Sequence, residues 1–285
     1  MTSPQPEATI PSVQLNNGVA IPQLGLGVFQ VPPDDAQRVV EHALEVGYRH
    51  VDTAAAYNNE SGVGAAVRAS GLPREEVFVT TKLRNGEQGY ESAKRVYGET
   101  LTRLGLDYVD LYLIHWPFPS AGLYADSWRA LAELYEAGEV RAVGVSNFMP
   151  EHLDEIARHS ELVPTVNQIE LHPTFQQQDV AEDSTRRGIA VEAYSPLGQG
   201  ADLEAPAVRT IAEQHGVTAA QVILRWHLQR GYIVIPKSNT PARIVENLTV
   251  TGFELTTDEL AAITALEAGS RIGADPRTAA FSQIR

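Results

Sequence analysis

Cysteine is absent from the 285 residues, which excludes disulfides, thiolate nucleophiles and cysteine-bound metals together. Positive charge is scarce: 22 Lys and Arg stand against 36 Asp and Glu, a net charge of −14. That balance argues against a nucleic acid or an anionic membrane as partner. Any anionic ligand therefore needs its own basic pocket. No apolar run approaches the roughly 20 residues that span a bilayer. Met1 to Ser12 is polar and proline-rich, without the basic start and apolar centre of a secretory signal, so a cytoplasmic location is the expectation. The histidines lack a His-Glu-x-x-His spacing, and no metal site is expected. No Gly-, Ser- or Pro-rich linker and no shift in composition separates the halves, which favours a flexible segment 1–12 followed by a single domain, 13–285.

What is present is a regular alternation. Val13 to Leu15 and Val19 to Ile21 flank Asn16-Asn17-Gly18, a strong hairpin signal. Short apolar runs then alternate with amphipathic stretches that end repeatedly in glycine. The runs include Arg49–Val51, Val77–Thr81, Val109–Ile114, Val140–Val145, Thr165–Leu171, Ile189–Tyr194 and Tyr232–Ile235. The helices include Glu60–Ala69, Tyr90–Leu104, Ala125–Ala137, Pro150–His159, Gln177–Arg187, Thr218–Arg230 and Pro241–Leu248. Ala205–His215 reads as an added helix, and Thr257–Ala268 closes the series with the capping box Thr256-x-x-Glu259. Strand–helix alternation implies βαβ units and a parallel sheet. About eight units are present, the number that closes an α/β (β/α)8 TIM barrel of roughly 250 residues. The hairpin is expected to plug its bottom, two helices are extra to the barrel, and the segment after Gly269 is expected to lie over one end.

A barrel of this kind collects its functional side chains at the C-terminal ends of its strands. Asp52 and Tyr57, then Lys82, then His115 stand at or just past successive strand ends. Alone, each has a structural explanation: an aromatic anchor, half of an ion pair, a core histidine. Together they form a proton-delivery set. A tyrosine of pKa about 10 is a poor acid near neutrality, but an adjacent ammonium favours the phenolate and makes Tyr57 a usable general acid. Asp52 would hold Lys82 charged and oriented. His115 could donate to a carbonyl oxygen gaining negative charge. The set suits addition of a nucleophile to an aldehyde or ketone without naming that nucleophile.

Phosphate sites in such barrels use the loops after strands 7 and 8 and a helix N-terminus. Strand 7 runs into Tyr194 to Gly200, a glycine-containing loop able to wrap a diphosphate. Strand 8 runs into Ile235 to Pro241, with Thr240 placed as N-cap and Pro241 at the first helical position. Lys237 and Arg243 add positive charge. Tyr194 could stack on a flat ring, while Ser146, Asn147 and Gln168 could read a carboxamide. These features suit a nicotinamide dinucleotide. Gly62-Val63-Gly64 resembles the start of a dinucleotide fingerprint, but the third glycine is missing and helix packing explains it better.

Several long motifs now resemble the aldo-keto reductase family from end to end. They are Gly47 to Glu60 (GYRHVDTAAAYNNE), Leu111 to Pro117 (LYLIHWP), Gly144 to Phe148 (GVSNF), Val166 to Pro173 (VNQIELHP), and Ile235 to Asn239 (IPKSN) followed by Arg243 to Asn247 (RIVEN). The resemblance implies NADPH-dependent carbonyl reduction without a metal. It makes Tyr57 the proton donor, Lys82 and Asp52 its tuning pair, and His115 the group that orients the carbonyl. It further implies that Ser146, Asn147 and Gln168 hold the carboxamide and that Tyr194 stacks on the nicotinamide. Ser195, Leu197 and Gln199 would line the diphosphate, with Lys237, Ser238, Asn239 and Arg243 at the 2′-phosphate and Glu246 and Asn247 at the adenine.

Phe29 stands where many animal members have Trp, and the stretches after strand 4 and at the C-terminus are short. That pattern is similar to the prokaryotic branch that includes 2,5-diketo-D-gluconate reductases. Phe29 and Trp116 are candidates to line the substrate pocket, with Trp128 and the C-terminal segment behind them. His172 reads as structural. The expected partner is a small carbonyl compound, and the expected state a monomer. Two other readings remain: a non-catalytic NADPH-binding barrel acting as sensor or subunit, and a Schiff-base aldolase using Lys82. The adjacent Asp52 opposes the neutral lysine that an aldolase needs.

Overall fold

The computed structural model describes residues 10–283. Residues 1–9 of the segment expected to be flexible lie outside the described residues, and Ser12 already belongs to the first strand. Strands β1 (Ser12–Gln14) and β2 (Ala20–Pro22) pair antiparallel around the Asn-Gly turn, where Gly18 takes φ +86°. Leu15 and Ile21 pack with Phe78, Leu111, Leu113, Ala142, Val166 and Ile233. Apart from Leu113, these are the first residues of their barrel strands, so the hairpin is the expected plug. Asn16 and Asn17 fasten it by donating to the carbonyls of Pro164 and Arg141.

Eight strands follow, all parallel and in sequential order: β3 (Leu26–Gly27), β4 (His50–Asp52), β5 (Phe78–Leu83), β6 (Leu111–Ile114), β7 (Ala142–Ser146), β8 (Val166–Glu170), β9 (Ala190–Tyr194) and β10 (Ile233–Val234). Bridges Leu24–Val234 and Gly27–Lys237 join the last strand to the first and close the barrel. Closure needs a close backbone approach, since a Cβ on Gly27 would lie 2.8 Å from the Ile235 carbonyl oxygen. Most of these strands are buried along their whole length, as befits a sheet covered on one face and filled on the other.

The regular helices are α1 (Pro33–Glu45), α2 (Glu60–Ala69), α3 (Tyr90–Leu104), α4 (Tyr124–Glu136), α5 (Pro150–Ala157) and α6 (Gln178–Arg186). The extra α7 (Pro206–His215) precedes α8 (Ala219–Gln229) and α9 (Pro241–Leu248), and α10 (Thr257–Thr264) ends the series. Apolar faces of α1 to α5 pack on one large core, while α7, α8 and α10 share a second with β8 and β9. Gly62 and Gly64 are packing glycines: a Cβ on Gly64 would strike the Leu104 backbone, and one on Gly62 would reach Ala36 at 2.8 Å. The Thr256–Glu259 capping box forms as expected. Helix α10 stops four residues early, because the Ala268 and Ser270 amides donate to the Thr174 carbonyl instead of continuing the helix.

Candidate active site

The upper ends of the strands open into one cavity of about 450 Å3. Asp52 ends β4 and Lys82 lies near the end of β5, so both point into the barrel mouth. Tyr57 closes a 3-10 turn, Ala55–Tyr57, that follows β4, and His115 is the first residue beyond β6. Lys82 Nζ donates to Asp52 Oδ1 at 2.6 Å and to the Thr53 carbonyl at 2.9 Å, and it reaches the Tyr57 hydroxyl at 3.5 Å. The Tyr57 ring meets His115 edge-on at 5.6 Å and Phe29 at 5.1 Å. All four members of the predicted set therefore converge, and Tyr57, Asp52 and His115 line the cavity.

Burial sets the electrostatics. It works against the Lys82 ammonium, but Asp52 outweighs it and holds the lysine above its ordinary pKa. Burial raises the Tyr57 pKa and Lys82 pulls it back, with a net shift upward. The expectation of a lowered phenol pKa is thus corrected: the ammonium acts in the expected direction, but desolvation of a phenolate is the larger effect. Burial and the Lys82 charge push His115 well below the usual histidine value, so its ring is neutral.

On the opposite wall, Gln168 Nε2 donates to Asp52 Oδ2 and to Glu192 Oε2, both at 2.8 Å. With both amide hydrogens committed, Gln168 Oε1 is the group left for a ligand. Ser146 Oγ donates to the Gln168 carbonyl, Asn147 Nδ2 donates to the His115 carbonyl, and the Tyr194 hydroxyl donates to Asn147 Oδ1 at 2.8 Å. Asn147, Ser195 and Gln199 take φ of +63°, +49° and +52°. Left-handed backbone at non-glycine residues is uncommon and gathers at functional sites.

The predicted cofactor residues divide into two groups. Ser146, Asn147, Gln168, Tyr194, Ser195, Gln199 and Lys237 line the cavity. Leu197, Ser238, Asn239, Arg243, Glu246 and Asn247 do not. Leu197 packs between the two main cores. Glu246 accepts from Thr218 Oγ1 at 2.8 Å. Thr240 sits at the N-cap position of α9, but its hydroxyl caps nothing; its own amide donates to Ser238 Oγ at 3.1 Å. The buried Asn239 Oδ1 has no partner among the described residues. Lys237 and Arg243 are exposed and make no ion pair among those residues. Two free cations and an unmet polar atom beside a loop of left-handed backbone fit a phosphorylated dinucleotide.

Trp128, a candidate for the substrate pocket, is fully buried in the large core and does not reach the cavity. Phe29 and Trp116 do line it, joined by Ile272 and Phe281 of the C-terminal segment. Phe29, Ile272 and Phe281 are 52%, 42% and 40% exposed, so an apolar rim surrounds the mouth.

A family model described as the aldo/keto reductase family matches residues 22–268. The chain belongs to the aldo/keto reductase family. An aldo-keto reductase of Mycolicibacterium smegmatis is 51% identical over 95% of this chain and 99% of its own length. The glyoxal reductase of Bacillus subtilis is 47% identical, covering 93% and 96%. A solved variant of Gox0644 in complex with NADPH superposes with a TM-score of 0.92 at 47% identity, covering 95% and 99%.

Beyond the family motifs, the structure adds residues that sequence reading passed over. Glu192 is fully buried on β9 and is pushed up to about 8 by burial and by the charge of Asp52. An acid inside the apolar run Val191–Ala193, two places before Tyr194 and so on the same face, was a usable signal. His172 is more than an isolated structural histidine. Its ring lies 2.8 Å from Asp202 and 3.3 Å from Glu170, and these carboxylates overcome burial to raise it to about 9. Glu170 also accepts the Ile272 and Gly273 amides at 2.6 and 2.7 Å. The triad therefore ties the C-terminal segment to the loop after β9. Among the described residues no cluster of side chains suited to a metal is found, and no helix is long and apolar enough to cross a membrane.

Proposed function

We propose that the chain reduces aldehydes, ketones or dicarbonyls to alcohols, with NADPH as hydride donor and Tyr57 as general acid. One observation carries this reading: the Tyr57 hydroxyl opens into the cavity within 3.5 Å of an ammonium that Asp52 holds charged. When bound, NADPH would supply the hydride for the carbonyl carbon. His115 donates a hydrogen bond to the carbonyl oxygen and orients it. Tyr57 then gives its proton to the oxygen as charge develops there, and Lys82 stabilises the phenolate left behind. One hydride and one proton make the alcohol.

The cofactor assignments follow the same reading. Ser146, Asn147 and Gln168 would hold the carboxamide, with Gln168 Oε1 and Asn147 Oδ1 as acceptors for its amino group. Tyr194 would stack on the ring, Ser195, Leu197 and Gln199 would hold the diphosphate, and Lys237, Ser238, Asn239 and Arg243 would hold the 2′-phosphate. Glu246 and Asn247 face the adenine. A single-domain cytoplasmic monomer completes the proposal. Lys82 is buried and held charged, which supports a tuning role over Schiff-base chemistry.

The test mixes the protein with NADPH and a panel including glyoxal, simple aldehydes and cyclic ketones, following loss of nicotinamide absorbance. Turnover of at least one carbonyl class is expected. NADPH binding without turnover would favour a sensor or subunit, and borohydride trapping of an adduct on Lys82 would favour an aldolase.

A further inference from the structure

The C-terminal segment reaches back to the catalytic histidine. Three consecutive residues of it are gripped by the turn after β5: the Asn85 side-chain amide donates to the Phe281 carbonyl at 2.9 Å, the Gly86 amide to the Ser282 carbonyl at 2.7 Å, and the Asn85 amide to Gln283 Oε1 at 3.1 Å. Phe281 packs edge-on against Trp116, with ring centres 5.2 Å apart. Gln283 itself takes φ +63°, and it lines the cavity. There its Nε2 lies 3.2 Å from His115 Nδ1.

The direction of these bonds is determined by chemistry. A backbone N–H can only donate, so the Gln283 atom facing Asn85 must be the carbonyl oxygen. The other end of the amide is then the nitrogen, which also can only donate. His115 Nδ1 must therefore accept, and the proton of the neutral imidazole resides on Nε2. We propose that Gln283 is a positioning residue that fixes His115 as the Nε2–H tautomer, the form able to donate to a substrate carbonyl. This rests on the carbonyl-reductase reading for its consequence, though not for its geometry. An imidazolium would set an N–H against the amide hydrogens, so the contact also opposes protonation. The charged and titratable groups around the ring are Lys82 on β5, its partner Asp52 on β4, and Tyr57, whose ring packs edge-on.

The decisive variant is Gln283→Glu, whose carboxylate can only accept. At neutral pH it should draw the proton to Nδ1, leaving Nε2 bare, and kcat should fall by about tenfold or more. As pH falls, the imidazolium regains Nε2–H and the variant's rate should rise, a gain toward acid that the parent protein lacks. Long-range 1H–15N spectra of the His115 ring read the tautomer directly without any cofactor. They should show Nε2–H in the parent, Nδ1–H or imidazolium in Gln283→Glu, and a mixture in Gln283→Ala. Nδ1–H in the parent, or an unchanged spectrum in Gln283→Glu, would overturn the proposal. So would a rise in kcat/KM for Gln283→Ala, which would mean that the amide merely occupies the carbonyl's place. If the parent turns over no carbonyl while the tautomer shifts in Gln283→Glu, the reductase reading fails and the tautomer assignment stands.

Discussion

At the ends of β4 and β5, Asp52 and Lys82 are buried and paired with each other, whereas beyond β10 the cations Lys237 and Arg243 are exposed and make no ion pair among the described residues. Lys82 and Asp52 are almost wholly shielded and 2.6 Å apart. Lys237 and Arg243 stand in solvent, unpaired among the described residues. The first arrangement costs desolvation free energy, which only close pairing offsets. In return, charges are held in a low-dielectric place before any substrate arrives. The second leaves its charges hydrated and ready to exchange water for phosphate oxygens. On the proposed reading, preorganisation belongs to the catalytic corner and recognition of a free ligand to the other.

The comparison breaks most visibly at Tyr57, the proposed acid. Tyr57→Phe should lower kcat by roughly 10²- to 10⁴-fold, while fluorescence titration should find NADPH affinity nearly unchanged. Retention of even a tenth of the activity would remove Tyr57 from the acid role. Next, Lys82→Met strands Asp52 in the barrel, and urea unfolding should register a loss of about 3–5 kcal/mol. A loss under 1 kcal/mol would mean that the buried pair is no more demanding than a surface one.

The seam between the two corners is His172. Its folded pKa of about 9 lies above the ordinary 6.5. The folded state therefore holds the proton more tightly, and the stabilisation is complete below about pH 6.5 and lost as pH rises through 9. His172→Gln should accordingly cost on the order of 3 kcal/mol at pH 6 and much less at pH 10. A pH-independent difference would show that charge is not what joins Glu170 to Asp202. The smallest effect is expected at the exposed corner. Arg243→Ala should weaken NADPH about tenfold, near 1.4 kcal/mol, and leave NADH unaltered. Equal weakening of both would detach Arg243 from the 2′-phosphate.

The convergence of Asp52, Tyr57, Lys82 and His115 was legible in advance because these residues fall at the ends of apolar runs, and a parallel barrel converts that one-dimensional position into proximity. Tyr194, Ser195, Gln199 and Lys237 were legible for the same reason. Arg243, Glu246 and Asn247 sit on α9, where strand-end logic gives no distance to the cavity. Trp128 was misread because an aromatic on an amphipathic helix carries no mark of which face it occupies. Helix α10 was read too long because the competing acceptor, the carbonyl of Thr174, is more than ninety residues away in the chain.

By itself the sequence determined the barrel, the plug, the four residues that meet at its mouth and the family. Each depends on local periodicity, on turn chemistry or on motifs read along the chain. The tertiary structure decided what those residues experience. Desolvation of Tyr57 exceeds the pull of Lys82, Glu192 lies buried behind Gln168, and Gln283 crosses from the far end of the chain to His115. Burial and the meeting of distant segments are sums over the whole fold, and no window of sequence contains them.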